Sequence, residues 1–216
     1  MSLAENWARI QDEVADACAS VGRTPDSITV IAVSKTYSVD AIRAAYDLGF
    51  RDFGESRIQE ALPKIGALPK DIRWHFIGPL QSNKAKTAAV HFQVIHSLSS
   101  NSQLLEVAKS GSTIDGLLQV NLGREQQKSG IFAETLDAAV QDVLKCSQVR
   151  FRGLMTIGPL VENPEDARPI FKELAELGSR VGAEWLSMGM SGDFRVAIQE
   201  GATHVRIGSA LFGDRT

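Results

Sequence analysis

The sequence predicts an α/β fold, a single (β/α)8 TIM barrel preceded by one N-terminal helix, and three observations carry that expectation. Short runs rich in β-branched residues alternate along the chain with stretches of three-and-four apolar spacing, the pattern of parallel strands joined by helices. Eight strand-like runs occur, the number that closes a barrel. The 216 residues suffice for one barrel and fall short of two full domains, so a single domain over 1–216 is expected. A doubly wound open sheet is the alternative arrangement.

The opening helix sets Leu3, Trp7, Ile10, Val14, Ala17, Cys18 and Val21 on one face and stops at Gly22, with Pro25 three residues beyond. Strand one covers 28–35, Ile-Thr-Val-Ile-Ala-Val-Ser-Lys, a nearly continuous apolar run suited to burial on both faces. A helix over 39–48, a strand over 51–54, a helix over 56–65 and a strand over 73–78 follow. Then come a helix over 82–92, a strand over 93–98, a helix over 101–109 and a strand over 115–122. A polar loop over 123–130 leads to a helix over 133–145, a strand over 149–157 and a long helix over 164–181. The series closes with a strand over 184–188, a short helix over 192–200 and a strand over 204–207. No linker, low-complexity tract or composition break interrupts it.

Composition narrows the function classes. With 44% hydrophobic and 23% charged residues and a formal net charge of -3, the chain has no basic field to attract nucleic acid or an anionic membrane. The basic clusters at 84–86 and 150–152 read as solvated faces. Cys18 and Cys146 are the only cysteines, with no CxxC spacing, and read as reduced structural thiols. The first residues lack a basic region followed by an apolar run, and no stretch approaches the roughly 20 apolar residues that cross a bilayer. A cytoplasmic protein is expected.

Alternate strand residues share a face, so Ile31, Val33 and Lys35 point the same way. If Ile31 and Val33 fill the barrel, Lys35 projects at the carboxyl end of strand one, where barrel enzymes carry their chemistry. Desolvation there lowers the preference of an amine for its charged form, and a neutral amine attacks aldehydes. The competing reading is a rim lysine paired with Asp52 or Glu55. Two loops weigh on the choice. After strand seven the chain reads Ser-Met-Gly-Met-Ser-Gly-Asp over 187–193, and after strand eight Arg-Ile-Gly-Ser-Ala over 206–210. Each pairs a glycine with a serine between a strand and a helix, at the two barrel positions that most often bind phosphate. The alternatives are that Ser191 caps the following helix and Gly208 only turns the chain. Arg206 interrupts an apolar strand and needs a buried partner, either a carboxylate such as Glu184 or a ligand.

Together these segments resemble the pyridoxal phosphate homeostasis protein family. The resemblance rests on Ala-Val-Ser-Lys-Thr at 32–36, Phe-Gly-Glu at 53–55, the block Trp-His-Phe-Ile-Gly-Pro-Leu-Gln-Ser-Asn-Lys at 74–84, and Lys-Ser-Gly at 128–130. It extends through Gly-Leu-Met-Thr at 153–156, Met-Gly-Met-Ser at 188–191 and Val-Arg-Ile-Gly-Ser at 205–209, nearly the whole chain. It implies the barrel of the alanine racemase N-terminal domain, with pyridoxal 5′-phosphate as cofactor held as a Schiff base on Lys35. It further implies that Ser191 and Ser209, with the backbone of Met190 and Gly208, hold the phosphate, and that Arg206 faces the ring nitrogen. Ser56 stands where the family often has Asn, which puts a polar contact from that position in question.

His75 is a candidate border of the cofactor, or a satisfied core histidine; Met155 either packs near the ring or fills the core. His91, His96 and His204 show no metal-ligand spacing, and no metal is expected. Lys128 is a second amine, read as exposed. The expected function is binding and management of pyridoxal phosphate inside the cell, with apoenzymes as recipients. An amino-acid racemase or aldolase using the same lysine is the alternative. Two-base racemisation needs an acid opposite the lysine; related racemases take it from a second domain of a partner subunit. Such a domain is not expected in this chain, which favours a monomer and leaves Tyr37 as the nearest phenol. A barrel for another phosphorylated aldehyde or a nucleotide is the third reading.

Overall fold

Helix α1 (Leu3–Ala19) starts at a capping box: Ser2 Oγ accepts from the Glu5 amide, and the Glu5 carboxylate accepts from the Ser2 amide. The elements that follow are β1 (Thr29–Val33), α2 (Val39–Asp47), β2 (Asp52–Glu55), α3 (Ile58–Ala67), β3 (Arg73–Phe76), α4 (Ser82–His91), β4 (Val94–Leu98) and α5 (Asn101–Ala108). The second half adds β5 (Ile114–Gln119), α6 (Leu136–Leu144), β6 (Val149–Met155), α7 (Arg168–Val181), β7 (Trp185–Met190), α8 (Phe194–Gln199), β8 (His204–Ile207) and α9 (Ser209–Phe212). This computed structural model describes residues 2–123, 129–159 and 161–213. The strands are parallel and pair in sequence order, with β8 returning to β1 through Thr29–His204 and Ile31–Arg206. The sheet is therefore a closed barrel, and the open-sheet alternative falls away.

The period of two divides each strand between two cores. Ala32, Phe53, Trp74, Ile95, Leu118, Val205 and Ile207 join the large apolar shell between sheet and helices. Val94, Leu117 and Met155, with Trp185 packed on them, form a small separate cluster inside the barrel. Ile31 and Val33 share the interior with a polar group: His75, His96, Ser187, His204 and Arg206 are all buried. Asn6 of α1 donates to the Leu211 carbonyl and Arg9 to that of Ala210, so α1 is fastened to α9.

Several boundaries differ from the sequence expectation. Helix α1 ends at Ala19, and Val21, assigned to its buried face, lies beyond it and is 43% exposed. Strand β1 stops two residues before Lys35, because Thr36 adopts a left-handed turn (φ 72°). Single 3-10 turns at Ala133–Thr135 and Pro164–Ala167 take the starts of the helices predicted from 133 and 164. The helix predicted over 192–200 shrinks to Phe194–Gln199, since 191–193 form a loop. The four residues of α9 are too few to leave a periodic signal. Cys18 is buried and Cys146 half-buried, with no disulfide between them.

Candidate functional site

A cavity of about 430 Å³ opens at the carboxyl ends of the strands, a size that suits a small ligand. Val33 and Lys35 line it from the end of β1, Met190 from the end of β7, Ser191 and Asp193 from the loop after it, and Arg206, Gly208 and Ser209 from β8 and its turn. Lys35, Ile77 and Ile157 also border a second cavity of about 540 Å³, which includes Ser56 and Lys84. Seven of the nine predicted site residues thus gather at this end of the barrel. His75 and Met155 line neither cavity; both are fully buried in the interior beneath. Lys128 lies outside the described residues.

Lys35 is placed by its neighbours. The Lys64 ammonium rises from α3 and donates to the Ser34 carbonyl (2.9 Å), Glu55 Oε1 (2.8 Å) and Glu60 Oε1 (2.7 Å). Ser34 Oγ donates to the same Glu55 oxygen, and the Thr36 amide donates to Glu60. Both residues flanking Lys35 are therefore anchored, which fixes where its stem leaves the backbone. Burial raises the Glu55 carboxyl above its usual range against the pull of Lys64. The carboxylates considered as partners of Lys35 are committed elsewhere: Glu55 to Lys64, and Asp52 to His75 at 2.8 Å.

The two loops predicted to bind an anion meet at one atom. Ser191 Oγ accepts from the Gly208 amide (3.2 Å) and the Ala210 amide (3.3 Å). Ser191 does not cap α8. Its hydroxyl sits where two backbone donors converge, the position an anionic oxygen would take. Helices α8 and α9 span only six and four residues, so these donors and not a long helix dipole give the cradle its polarity. The Met190 amide is engaged by Asp193 Oδ1 at 2.6 Å and has to leave it before meeting a ligand. Burial raises the Asp193 carboxyl despite that amide. Between the loops' roots, Gly189 holds φ 87°, and a Cβ there would lie 2.5 Å from the Ala197 Cβ and 2.9 Å from the Phe194 Cα.

Arg206 is buried and donates to Ser187 Oγ (2.7 Å) and the Thr156 carbonyl (2.8 Å). Glu184, the carboxylate first considered for it, pairs with Arg152 instead. Burial brings the guanidinium down to about 10, with Asp193 pulling the other way, so it stays cationic near neutrality. Tyr37 lines the cavity and stacks on Phe212, its hydroxyl donating to the Gly213 carbonyl. Sequence reasoning passed over Lys64, Asp193 and Ser187. Asp193 left a signal, a carboxylate two residues past Ser191; Lys64 and Ser187 left none, since their partners lie on other elements.

The arrangement offers an amine, an anion cradle and a fixed cation around one small cavity. Residues 2–216 match the family model described as alanine racemase, N-terminal domain. A pyridoxal phosphate homeostasis protein from Aquifex aeolicus is 41% identical, the alignment covering 100% of this chain and 99% of that protein. The solved structure of PipY from Synechococcus elongatus, with PLP bound, is 37% identical, with a TM-score of 0.80, covering 93% of this chain and 100% of that one. The alanine racemase of Clostridium difficile is 12% identical with a TM-score of 0.71; it covers 97% of this chain but only 56% of its own, and shows the shared fold alone.

Proposed function

The chain belongs to the pyridoxal phosphate homeostasis protein family, a branch with the alanine racemase N-terminal-domain barrel, and from that membership we propose that it binds pyridoxal 5′-phosphate covalently through Lys35 and buffers the cofactor for the cell. The observation that carries this reading is the meeting, in one cavity, of Lys35, the Ser191 cradle and the buried Arg206. Bound there, the cofactor supplies an aldehyde that condenses with a neutral amine and a pyridine ring that withdraws electrons.

The chain's own residues divide the work. Ser191 and Ser209, with the amides of Gly208 and Ala210, would hold the phosphate. Arg206 would face the ring nitrogen as a donor and, keeping its charge, would discourage a proton there. That restrains carbanion chemistry and suits retention of the cofactor over turnover. Tyr37, the phenol nearest Lys35 in sequence, spends its hydroxyl on Gly213 and is not poised as the second acid of a racemase. Ser56, across the adjoining cavity, reaches a ligand through its hydroxyl or a water. His75 and Met155 lie buried beneath the site and line neither cavity.

The same reading makes the protein a cytoplasmic monomer that passes pyridoxal phosphate to apoenzymes. Its exposed large apolar residues come singly, Val90 on α4, Leu105 on α5 and Leu144 on α6, with no run of them along any one helix. Sedimentation at micromolar concentration is expected to show one species of monomer mass.

The deciding experiment is borohydride reduction of the protein with pyridoxal phosphate, followed by mapping of the labelled peptide. The label is expected on Lys35 and is lost in Lys35→Ala. A label on another lysine, or none, overturns the assignment. Racemisation of common amino acids on the order of 1–1000 turnovers per second would overturn the carrier reading.

A further inference from the structure

The polar interior of the barrel contains an unbroken chain of hydrogen bonds. It starts at Asp52 on β2, half-buried at the amino-terminal end of the barrel, opposite Lys35. The Asp52 carboxylate lies 2.8 Å from His75 Nε2, His75 Nδ1 lies 2.9 Å from His96 Nε2, and His96 Nδ1 lies 2.9 Å from Ser187 Oγ. Ser187 Oγ then meets Arg206 Nη1 at 2.7 Å, on the wall of the ligand cavity. Four strands besides that of Arg206 contribute one link each.

Chemistry leaves one direction for this chain. Guanidinium nitrogens only donate, so Ser187 accepts from Arg206. At the other end Asp52 is held below its usual range against a burial penalty, chiefly through its bond to His75, and as a carboxylate it only accepts. His75 is fully buried and held neutral, so its one proton sits on Nε2 and its Nδ1 accepts. His96, also neutral, therefore donates from Nε2 and accepts at Nδ1 from the Ser187 hydroxyl. Every link points from Arg206 to Asp52. Arg206 neither takes nor gives a proton near neutrality, so the chain cannot deliver protons to the cavity; it can transmit orientation. Arg73, Asp115 and His204 are the other titratable groups whose charges act on the histidine pair.

We propose that Asp52, His75, His96 and Ser187 are positioning residues for the cofactor site, a one-way relay that fixes the Arg206 guanidinium against the ligand ring and so lets a carboxylate at the far end of the barrel set how firmly the ring is held. This deepens the function proposed above and rests on it for the identity of the ligand.

The test has two arms. In the protein without cofactor, ¹⁵N NMR of the imidazoles at neutral pH is expected to show His75 and His96 neutral, each with its proton on Nε2; a proton on Nδ1 of either ring overturns the relay. In the second arm, pyridoxal phosphate affinity is measured for Ser187→Ala, Asp52→Ala and the double variant. Each single change is expected to weaken binding about tenfold, the scale of one lost hydrogen bond to a charged group. The double variant is expected to bind no worse than either single one, because both cut the same chain. Residues with separate structural roles would instead give losses that add, and additive losses, or none, overturn the proposal. If Asp52→Ala does not fold, His96→Leu replaces it in the cycle with the same expectations. Wild-type protein that binds no pyridoxal phosphate would sink the proposed function while the imidazole protons still decide whether the relay exists.

Discussion

At the residue scale the cradle turns on one hydroxyl. Ser191 Oγ satisfies the amides of Gly208 and Ala210, while Ser209 lines the cavity beside it. The double change Ser191→Ala, Ser209→Ala removes two hydroxyls that would face a phosphate, at about 1.5–3 kcal/mol for each bond to a charged group. Equilibrium dialysis is expected to show cofactor retention falling by at least tenfold, and unchanged retention rules out this phosphate site. Lys64 gives a second prediction. It is 7% exposed and faces Glu55 and Glu60, so Lys64→Met leaves a buried carboxylate unpaired at a cost of about 3–5 kcal/mol. Thermal melts are expected to show that loss even without cofactor. Lys35, Ser191 and Arg206 were legible in the sequence because strand parity and loop position place each of them alone. Lys64 and the relay were not, since His75, His96 and Ser187 become neighbours only when the barrel closes.

At the element scale, the order of strands and helices was readable because β-branched runs and helical spacing differ in period. Their ends were less so. Where a strand hands over to a loop, backbone conformation decides, and residues such as Thr36 at φ 72° carry no compositional mark. The loop after β7 shows the opposite case. Its Gly189 is required twice, by φ 87° and by the closeness of Ala197 and Phe194. Gly189→Ala must either strain the backbone or push α8 away, so a destabilisation of about 2 kcal/mol or more is expected in denaturant unfolding. Because α8 follows the cradle directly, cofactor retention is expected to fall with it. A variant as stable as wild type would show that the loop shifts without cost.

At the scale of the whole molecule, a barrel interior stocked with neutral histidines makes stability depend on acid. Burial lowers His75, holds His96 well below the ordinary value of 6.5, and takes His204 to about 3. In the unfolded chain all three titrate near 6.5, so below that pH the unfolded state binds protons that the folded state refuses. Stability therefore drops as pH falls from about 6.5 toward the folded values, by up to about 1.4 kcal/mol per pH unit for each histidine. Glu55 and Asp193 act in the opposite sense: their raised folded values let the native state take up protons first. Asp52 and Asp115, which are lowered, add a further loss only as pH falls below about 4. Three histidines against two carboxyls leave a net fall, and melting temperature is expected to decline steadily between pH 6.5 and 5. His204 isolates the cause, because its Nε2 has no hydrogen-bond partner and its removal strands no buried group on that side. His204→Met, similar in volume and unable to titrate, is expected to flatten the decline by about a third of the histidine contribution. A decline that His204→Met leaves as steep as in the wild type would mean that His204 does not refuse a proton in the folded barrel.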